Sequence, residues 1–181
     1  MEFGAKMSIV VNTQAKTYRA GLDDLFDRVV EQADTFVAFG RPTKRKVVEM
    51  SRSGTAYYHK HNLVPWDEEF YQALHEHFGM EGNSILVNVY EKKQGIGFHT
   101  DGTKQLQPNT KVYSMSYSRE VGQDYGLGFM EFRTREGHIR TFPIRPWEVY
   151  SWCPFQHAER GIKHKASSTF SRINITMRTT K

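Results

Sequence analysis

The chain has a single cysteine, Cys153, among 181 residues. An intramolecular disulfide framework is therefore excluded, and the composition agrees with a reducing, cytoplasmic setting. No apolar run approaches the ~20 residues that a membrane-spanning helix needs, and no signal-type apolar segment follows Met1. No internal repeat or low-complexity stretch is present. Acidic residues are missing altogether from residues 160–181, which carry six cations, and residues 41–60 carry six more against Glu49 alone. With a net charge of +5, these two basic segments suit a polyanionic partner, nucleic acid before membrane. A solvated basic face is the alternative.

What is present is globular in composition, with 38% hydrophobic and 13% aromatic residues. Residues 1–7 read as a loose terminus or cloning remnant, and residues 8–181 as one domain with room for a sizeable core. Leu22, Leu25, Phe26, Val29, Val30 and Ala33 recur at helical spacing behind Asp23 and Asp24, which predicts a helix over 23–39. Pro65-Trp66-Asp67 opens a second helix over 67–78, and Gly79 closes it. Residues 46–50 and 55–59 read as short strands around the 51–54 turn. From Ser84 onward the pattern is β, with strands over 85–90, 112–117, 128–133, 138–143, 148–152 and 171–178. The class is mostly β with N-terminal helices (α+β), an antiparallel sandwich or jelly roll whose helices brace one sheet.

The chemistry gathers around His99-Thr100-Asp101. On an extended strand, residues two apart share a face, so His99 and Asp101 are able to reach one ion. H-x-D alone is a weak signal. A third ligand must come from a distant strand, as His164 does 63 residues after Asp101. Two imidazoles and a carboxylate on one face of a divalent metal leave the other face open, as in non-haem Fe(II) oxygenases. In 171–178, Arg172, Asn174, Thr176 and Arg178 share one face while Ile173, Ile175 and Met177 share the other. Two arginines on a buried face call for an anion. Asn88 and Tyr90 share a face of another strand and make a second polar wall. Cys153, between Trp152 and Pro154, reads as a small buried filler rather than a nucleophile.

These motifs together resemble the AlkB-type Fe(II)/2-oxoglutarate dioxygenases. The likeness covers residues 41 to 178 and rests on Asn88-x-Tyr90, the glycine-rich 95–98 segment, His99-x-Asp101, His164 and Arg172-x-Asn174-x-Thr176-x-Arg178. It implies a double-stranded β-helix (jelly roll) core over 84–178, preceded by a substrate lid and bracing helix over 41–83. It also implies that His99, Asp101 and His164 hold Fe(II), and that Arg172 pairs with the distal carboxylate of 2-oxoglutarate. Asn88, Tyr90, Asn174 and Arg178 would complete that pocket, with Arg178 nearest the metal and substrate. The implied reaction uses O₂ to convert 2-oxoglutarate to succinate and CO₂ while hydroxylating a C–H; on an N-methyl group it ends in formaldehyde and the free amine. The implied partner is single-stranded RNA or DNA, and a monomer is expected.

For the lid, the basic stretch with Lys44, Arg45, Lys46, Arg52, Tyr57 and Tyr58 supplies backbone charge and a stacking ring, one tyrosine or the other. The chain departs from the repair members after the H-x-D, where their acidic residues are replaced by Gly102-Thr103-Lys104, so the base preference differs or is read elsewhere. Compact AlkB-like sequences also occur in polyproteins of plant RNA viruses, which would imply an RNA substrate and the host cytoplasm.

Other histidines fit less well. His75 and His77 lie about 200° apart on a helix, His59 and His61 lack a third ligand, and His138 has no partner. His157 is the alternative to His164. Two rival functions are an Fe(II)/2-oxoglutarate oxygenase acting on a protein or small molecule, and a catalytically silent nucleic-acid-binding module.

Overall fold

The computed structural model describes residues 10–12, 21–38, 40–57, 62–122 and 125–181. The first helix, α1 (Asp23–Val30), is shorter than its periodicity predicts. Its apolar stripe buries Phe26, Val29 and Val30, and the chain then turns at 31–33 into strand β2 (Asp34–Ala38). Thr35, Phe36 and Val37 are β-branched or aromatic, and Thr35 and Val37 pair with the next strand on either side of an irregularity at Phe36, so sheet contacts override the helical reading over 34–38. That next strand, β3 (Arg41–Ser51), is one long antiparallel partner of β2. The expected strand at 55–59 is absent from 55–57, and its last two residues lie outside the described set.

Helix α2 (Glu68–Phe78) ends where its flanking residues dictate. The Asp67 carboxylate accepts the Phe70 amide at 3.0 Å, and Gly79 adopts φ 65° so that the Gly79 and Met80 amides close the last turn.

The remaining elements are β1 (Val10–Asn12), β4 (Leu63–Val64), β5 (Ser84–Tyr90), β6 (Gly95–His99), β7 (Val112–Tyr117), β8 (Gly128–Arg133), β9 (Ile139–Ile144), β10 (Val149–Trp152), α3 (Pro154–Arg160), β11 (Lys163–Ser168) and β12 (Arg172–Arg178). They form two sheets. The larger runs β1-β10-β7-β12-β5-β3-β2, with β4 beside β3, and the smaller runs β6-β11-β8-β9. The expected jelly roll is present, mostly β with few helices.

Strand β12 lies between β5 and β7 in mid-sheet. Ile173, Ile175 and Met177 pack outward with Val48, Met50, Ile85, Val87 and Met115 under Phe26, Phe70, Leu74 and Phe78 of the two helices. A second core of Val112, Leu127, Met130, Phe132, Tyr150 and Trp152 fills the space between the sheets.

Residues 95–97, in the glycine-rich segment before His99, are strand. A β-carbon on Gly95 would stand 2.2 Å from the Ala166 carbonyl oxygen, so glycine lets β6 approach β11. The register shifts between His164↔His99 and Ala166↔Ile96, placing an extra β6 residue against β11. That bulge brings both Ile96 and His99, three residues apart, onto the cavity side.

Candidate metal and co-substrate site

The metal-binding side chains converge from the small sheet. Ligating atoms of His99, Asp101 and His164 lie within 4.8 Å of one another. The Asp101 Oδ1 oxygen stands 3.7 Å from His99 Nε2 and 3.8 Å from His164 Nε2. Asp101 itself lies just past β6, where the hydroxyl of neighbouring Thr100 donates to the Ile162 carbonyl at 3.3 Å. His99 Nδ1 donates to the Gly97 carbonyl at 2.8 Å, which fixes the tautomer with a free lone pair on Nε2, the atom that faces the cluster. Trp152 Nε1 donates to Asp101 Oδ2 at 3.0 Å and leaves Oδ1 for an ion. Replacing Trp152 with Phe keeps the ring and removes this bond. Metal affinity is expected to fall about 10–100-fold, as for other outer partners of metal ligands, measured by Mn(II) titration.

Burial pushes the His164 imidazole down to about 4, with Asp101 opposing and His99 and His157 adding to the shift. His164 is thus neutral and ready to ligate at neutral pH. The sign follows for stability. Between pH 6.5 and about 4 the unfolded chain binds a proton that the folded chain refuses. The metal-free protein should therefore keep its full stability above pH 6.5 and lose part of it as pH falls toward 4. His157, lowered by the same cause, adds to the loss. Thermal melts at pH 7.5, 6 and 5 check this; a flat melting temperature would contradict it.

His157 is not a member of the cluster. It sits on α3, stacked parallel to Trp152 with ring centroids 6.5 Å apart. Cys153 caps the same helix and is half-buried, rather than fully buried as expected.

Across a cavity of about 270 Å³, the cluster faces the polar side of β12. Arg172 is 2% exposed. Its Nε donates to Ser168 Oγ at 2.7 Å, its Nη1 to Ser116 Oγ at 3.0 Å, and its guanidinium lies 4.6 Å from the Tyr90 ring centroid. Its Nη2 has no partner, nor do Arg178 Nε and Asn88 Oδ1. Among the described residues neither arginine forms an ion pair. Burial lowers the Arg172 pKa, with Tyr90 opposing, but a guanidinium keeps its proton. Two buried cations with unused donors call for an anion. The site accordingly fits Fe(II) together with 2-oxoglutarate and O₂. Asn174 points its amide nitrogen at Ser114 Oγ, the Met115 carbonyl and Ser116 Oγ, so it also ties β12 to β7.

At the mouth, Phe36 of β2 and Arg45 of β3 line the same cavity, with the guanidinium 4.5 Å from the ring centroid. Phe36 escaped the sequence reading because it was assigned to a helix. Lys44 and Lys46 alternate to the other face of β3 and are exposed. Arg52 pairs with Glu68 at 3.0 Å and covers Trp66 and Tyr71, on the helix side of the large sheet. Tyr57 is buried, donates its hydroxyl to the Gly102 carbonyl and lies 4.6 Å beneath the Arg178 guanidinium. Its ring supports Arg178 and is too deeply buried for a base to stack on, whereas Phe36 is only half-buried. Tyr58 lies outside the described residues.

No protein-family model and no curated protein matches this chain. Solved structures do. The structure of OsALKBH1 superposes with a TM-score of 0.68 at 12% identity, covering 96% of this chain and 99% of that one. A 2OG-Fe(II) oxygenase family oxidoreductase from Burkholderia pseudomallei gives a TM-score of 0.55 at 14% identity, covering 93% and 83%. A Pseudomonas putida prolyl-4-hydroxylase gives 0.56 at 10% identity, covering 96% and 94%. The fold is thus that of the Fe(II)/2-oxoglutarate oxygenase structures, and the triad and cradle suit the same chemistry. The likeness to OsALKBH1 runs nearly end to end, so the AlkB-type resemblance of the motifs has a counterpart in the fold.

Proposed function

We propose that this protein is an Fe(II)- and 2-oxoglutarate-dependent oxygenase that removes methyl groups from N-alkylated bases, of the 1-methyladenine and 3-methylcytosine type, in single-stranded RNA or DNA. The carrying observation is that His99, Asp101 and His164 share one cavity with two buried, unpaired arginines. When bound, Fe(II) with O₂ and 2-oxoglutarate supplies oxidation of a substrate C–H, with release of succinate and CO₂. The chain's own part is binding and orientation. Ser116 and Ser168 hold the Arg172 fork and leave Nη2 unpartnered, so it would give a carboxylate oxygen of 2-oxoglutarate a charge-assisted bond that fixes one end of the dicarboxylate. Arg178, steadied on Tyr57, offers its Nε at its own end of the cavity. A methyl carbon hydroxylated on a base nitrogen then loses its C–N bond, the hydroxyl proton passes to nitrogen, and formaldehyde leaves.

Phe36 and Arg45 support the substrate half of the reading, an aromatic face beside positive charge at the opening. Stacking of a base on such a ring is worth about 1–3 kcal/mol. Phe36→Ala is expected to raise KM for a methylated oligonucleotide roughly tenfold on that scale and leave 2-oxoglutarate affinity unchanged, read by steady-state kinetics.

The direct test is release of formaldehyde and succinate, without and then with O₂, from Fe(II), 2-oxoglutarate and oligonucleotides carrying 1-methyladenine or 3-methylcytosine. Oxygen-dependent formaldehyde supports demethylation. Succinate without formaldehyde moves the chemistry to another substrate, and neither product removes the enzymatic reading.

A further inference from the structure

The metal end of the small sheet carries a second feature that the cavity does not use. The β8–β9 turn and the α3–β11 turn face each other across an open groove lined by Arg133, Thr134, Arg135, Gly137, Gly161 and Lys163. Three cations line it and no acid does. Among the described residues none of the three forms an ion pair, whereas Lys165 beside them is paired with Glu131 at 2.7 Å. The turn's own acid, Glu136, is held ionised chiefly by its own backbone amide and then by Thr134, and offsets part of the charge. Even so, residues 131–140 and 159–165 together hold six Lys and Arg against three Glu.

The groove is also shaped rather than diffuse. Phe98, on the outer face of β6, is gripped by Arg133 at 4.2 Å and Lys165 at 4.9 Å from its ring centroid, which restrains both long side chains. The Arg135 side chain lies over Gly161, where an added β-carbon would stand 2.9 Å from Nε. Ile139 pairs with Arg133 in register and is 52% exposed, an apolar surface beside the charge.

Register ties this groove to the reaction centre. Lys163 pairs with Arg133, and the next residue of β11, His164, pairs with both Phe132 and His99. Side chains alternate along a strand, so the metal ligand and the groove lysine leave the same end of the sheet by opposite faces.

We propose that this groove is a phosphate-binding track for the single-stranded nucleic acid whose modified base enters the metal cavity, holding the backbone a few nucleotides from that base. The proposal rests on the nucleic-acid reading above. Unpaired cations in a concave site beside exposed apolar surface match the alternation of phosphates and bases, and each phosphate neutralised releases counterions.

The test is fluorescence anisotropy of an unmodified single-stranded oligonucleotide against the wild type and Arg133→Ala/Arg135→Ala/Lys163→Ala, over a series of salt concentrations. Arg135 and Lys163 are exposed and Arg133 is half-buried against Phe98, and far-UV circular dichroism with thermal melting verifies that the variant folds. Lys163→Gln alone serves as a milder second variant. The expected result is an affinity loss of at least about tenfold at low salt for the triple variant, and a log–log salt slope shallower by about 2, since each single-strand phosphate contact contributes about 0.7. A smaller loss in the same direction is expected for Lys163→Gln. Wild-type binding with an unchanged slope in the triple variant overturns the groove and leaves the nucleic-acid reading in place. Failure of the wild type to bind any oligonucleotide, or binding of anionic phosphatidylserine vesicles instead, overturns both.

Discussion

Arg172→Met is expected to abolish productive 2-oxoglutarate binding while leaving the ligand-free protein as stable as the wild type, or more so. The guanidinium is buried, hydrogen-bonded through two of its nitrogens to serine hydroxyls, and unpaired at the third. Removing one member of a buried, hydrogen-bonded charge pair costs about 2–5 kcal/mol, so KM for 2-oxoglutarate should rise by about a hundredfold or more. In the ligand-free state the same charge has no anion. Replacing a whole buried ion pair by apolar side chains of similar volume is often neutral or stabilising by about 1–4 kcal/mol. Here the charge to be removed lacks even a counter-charge, which offsets the hydrogen bonds lost at Ser116 and Ser168. Each kcal/mol corresponds to roughly 2–4 °C in a protein of this length. Melting curves with and without 2-oxoglutarate and Mn(II), together with kinetics, read both halves. A variant that keeps the wild-type KM would show that the anion cradle lies elsewhere.

His99→Ala is expected to remove oxygen-dependent succinate and formaldehyde altogether. His99 is the better target of the two histidines because its side chain is 32% exposed against 7% for His164. Its loss leaves little cavity, so the fold should persist with an unchanged melting temperature in the absence of metal. Mn(II) affinity should fall beyond the roughly 10–100-fold expected for loss of an outer partner such as Trp152. Retained turnover would dismiss the His99–Asp101–His164 cluster as the reaction centre.

The sequence carried most of the cavity because its information lies in period-two alternation. On 172–178 every second residue is polar, and the structure turns those toward the cavity and their neighbours toward the helices. Strands 112–117 and 128–133 were legible to the residue as well, from their β-branched and aromatic content between turns. Short segments without such a period were not. Helix α3 buries only Pro154 and His157, and β11 reads Lys-His-Lys-Ala-Ser-Ser, polar but for Ala166, so both escaped notice although β11 bears His164. Strand β6 was hidden by its glycines, whose purpose is visible only beside Ala166. Ser116 and Ser168, which hold Arg172, and Trp152, which holds Asp101, escaped as well. Of these, the same-face pair Ser114 and Ser116 in an otherwise apolar strand was a signal available to be read. Phe36 was lost to a helix drawn too long, and the basic lid was read as one surface although β3 sends Arg45 and Lys46 to opposite sides.

Strand β12 is held on both sides, Arg172 opposite Tyr90 on β5 and Ile173 opposite Tyr117 on β7. A slip of one residue would drive Ile173, Ile175 and Met177 into the cavity and press Arg172, Asn174 and Arg178 beneath the two helices. Damage that shifts this register should therefore act as a switch on each copy, lowering the number of working molecules in a population rather than the rate of each.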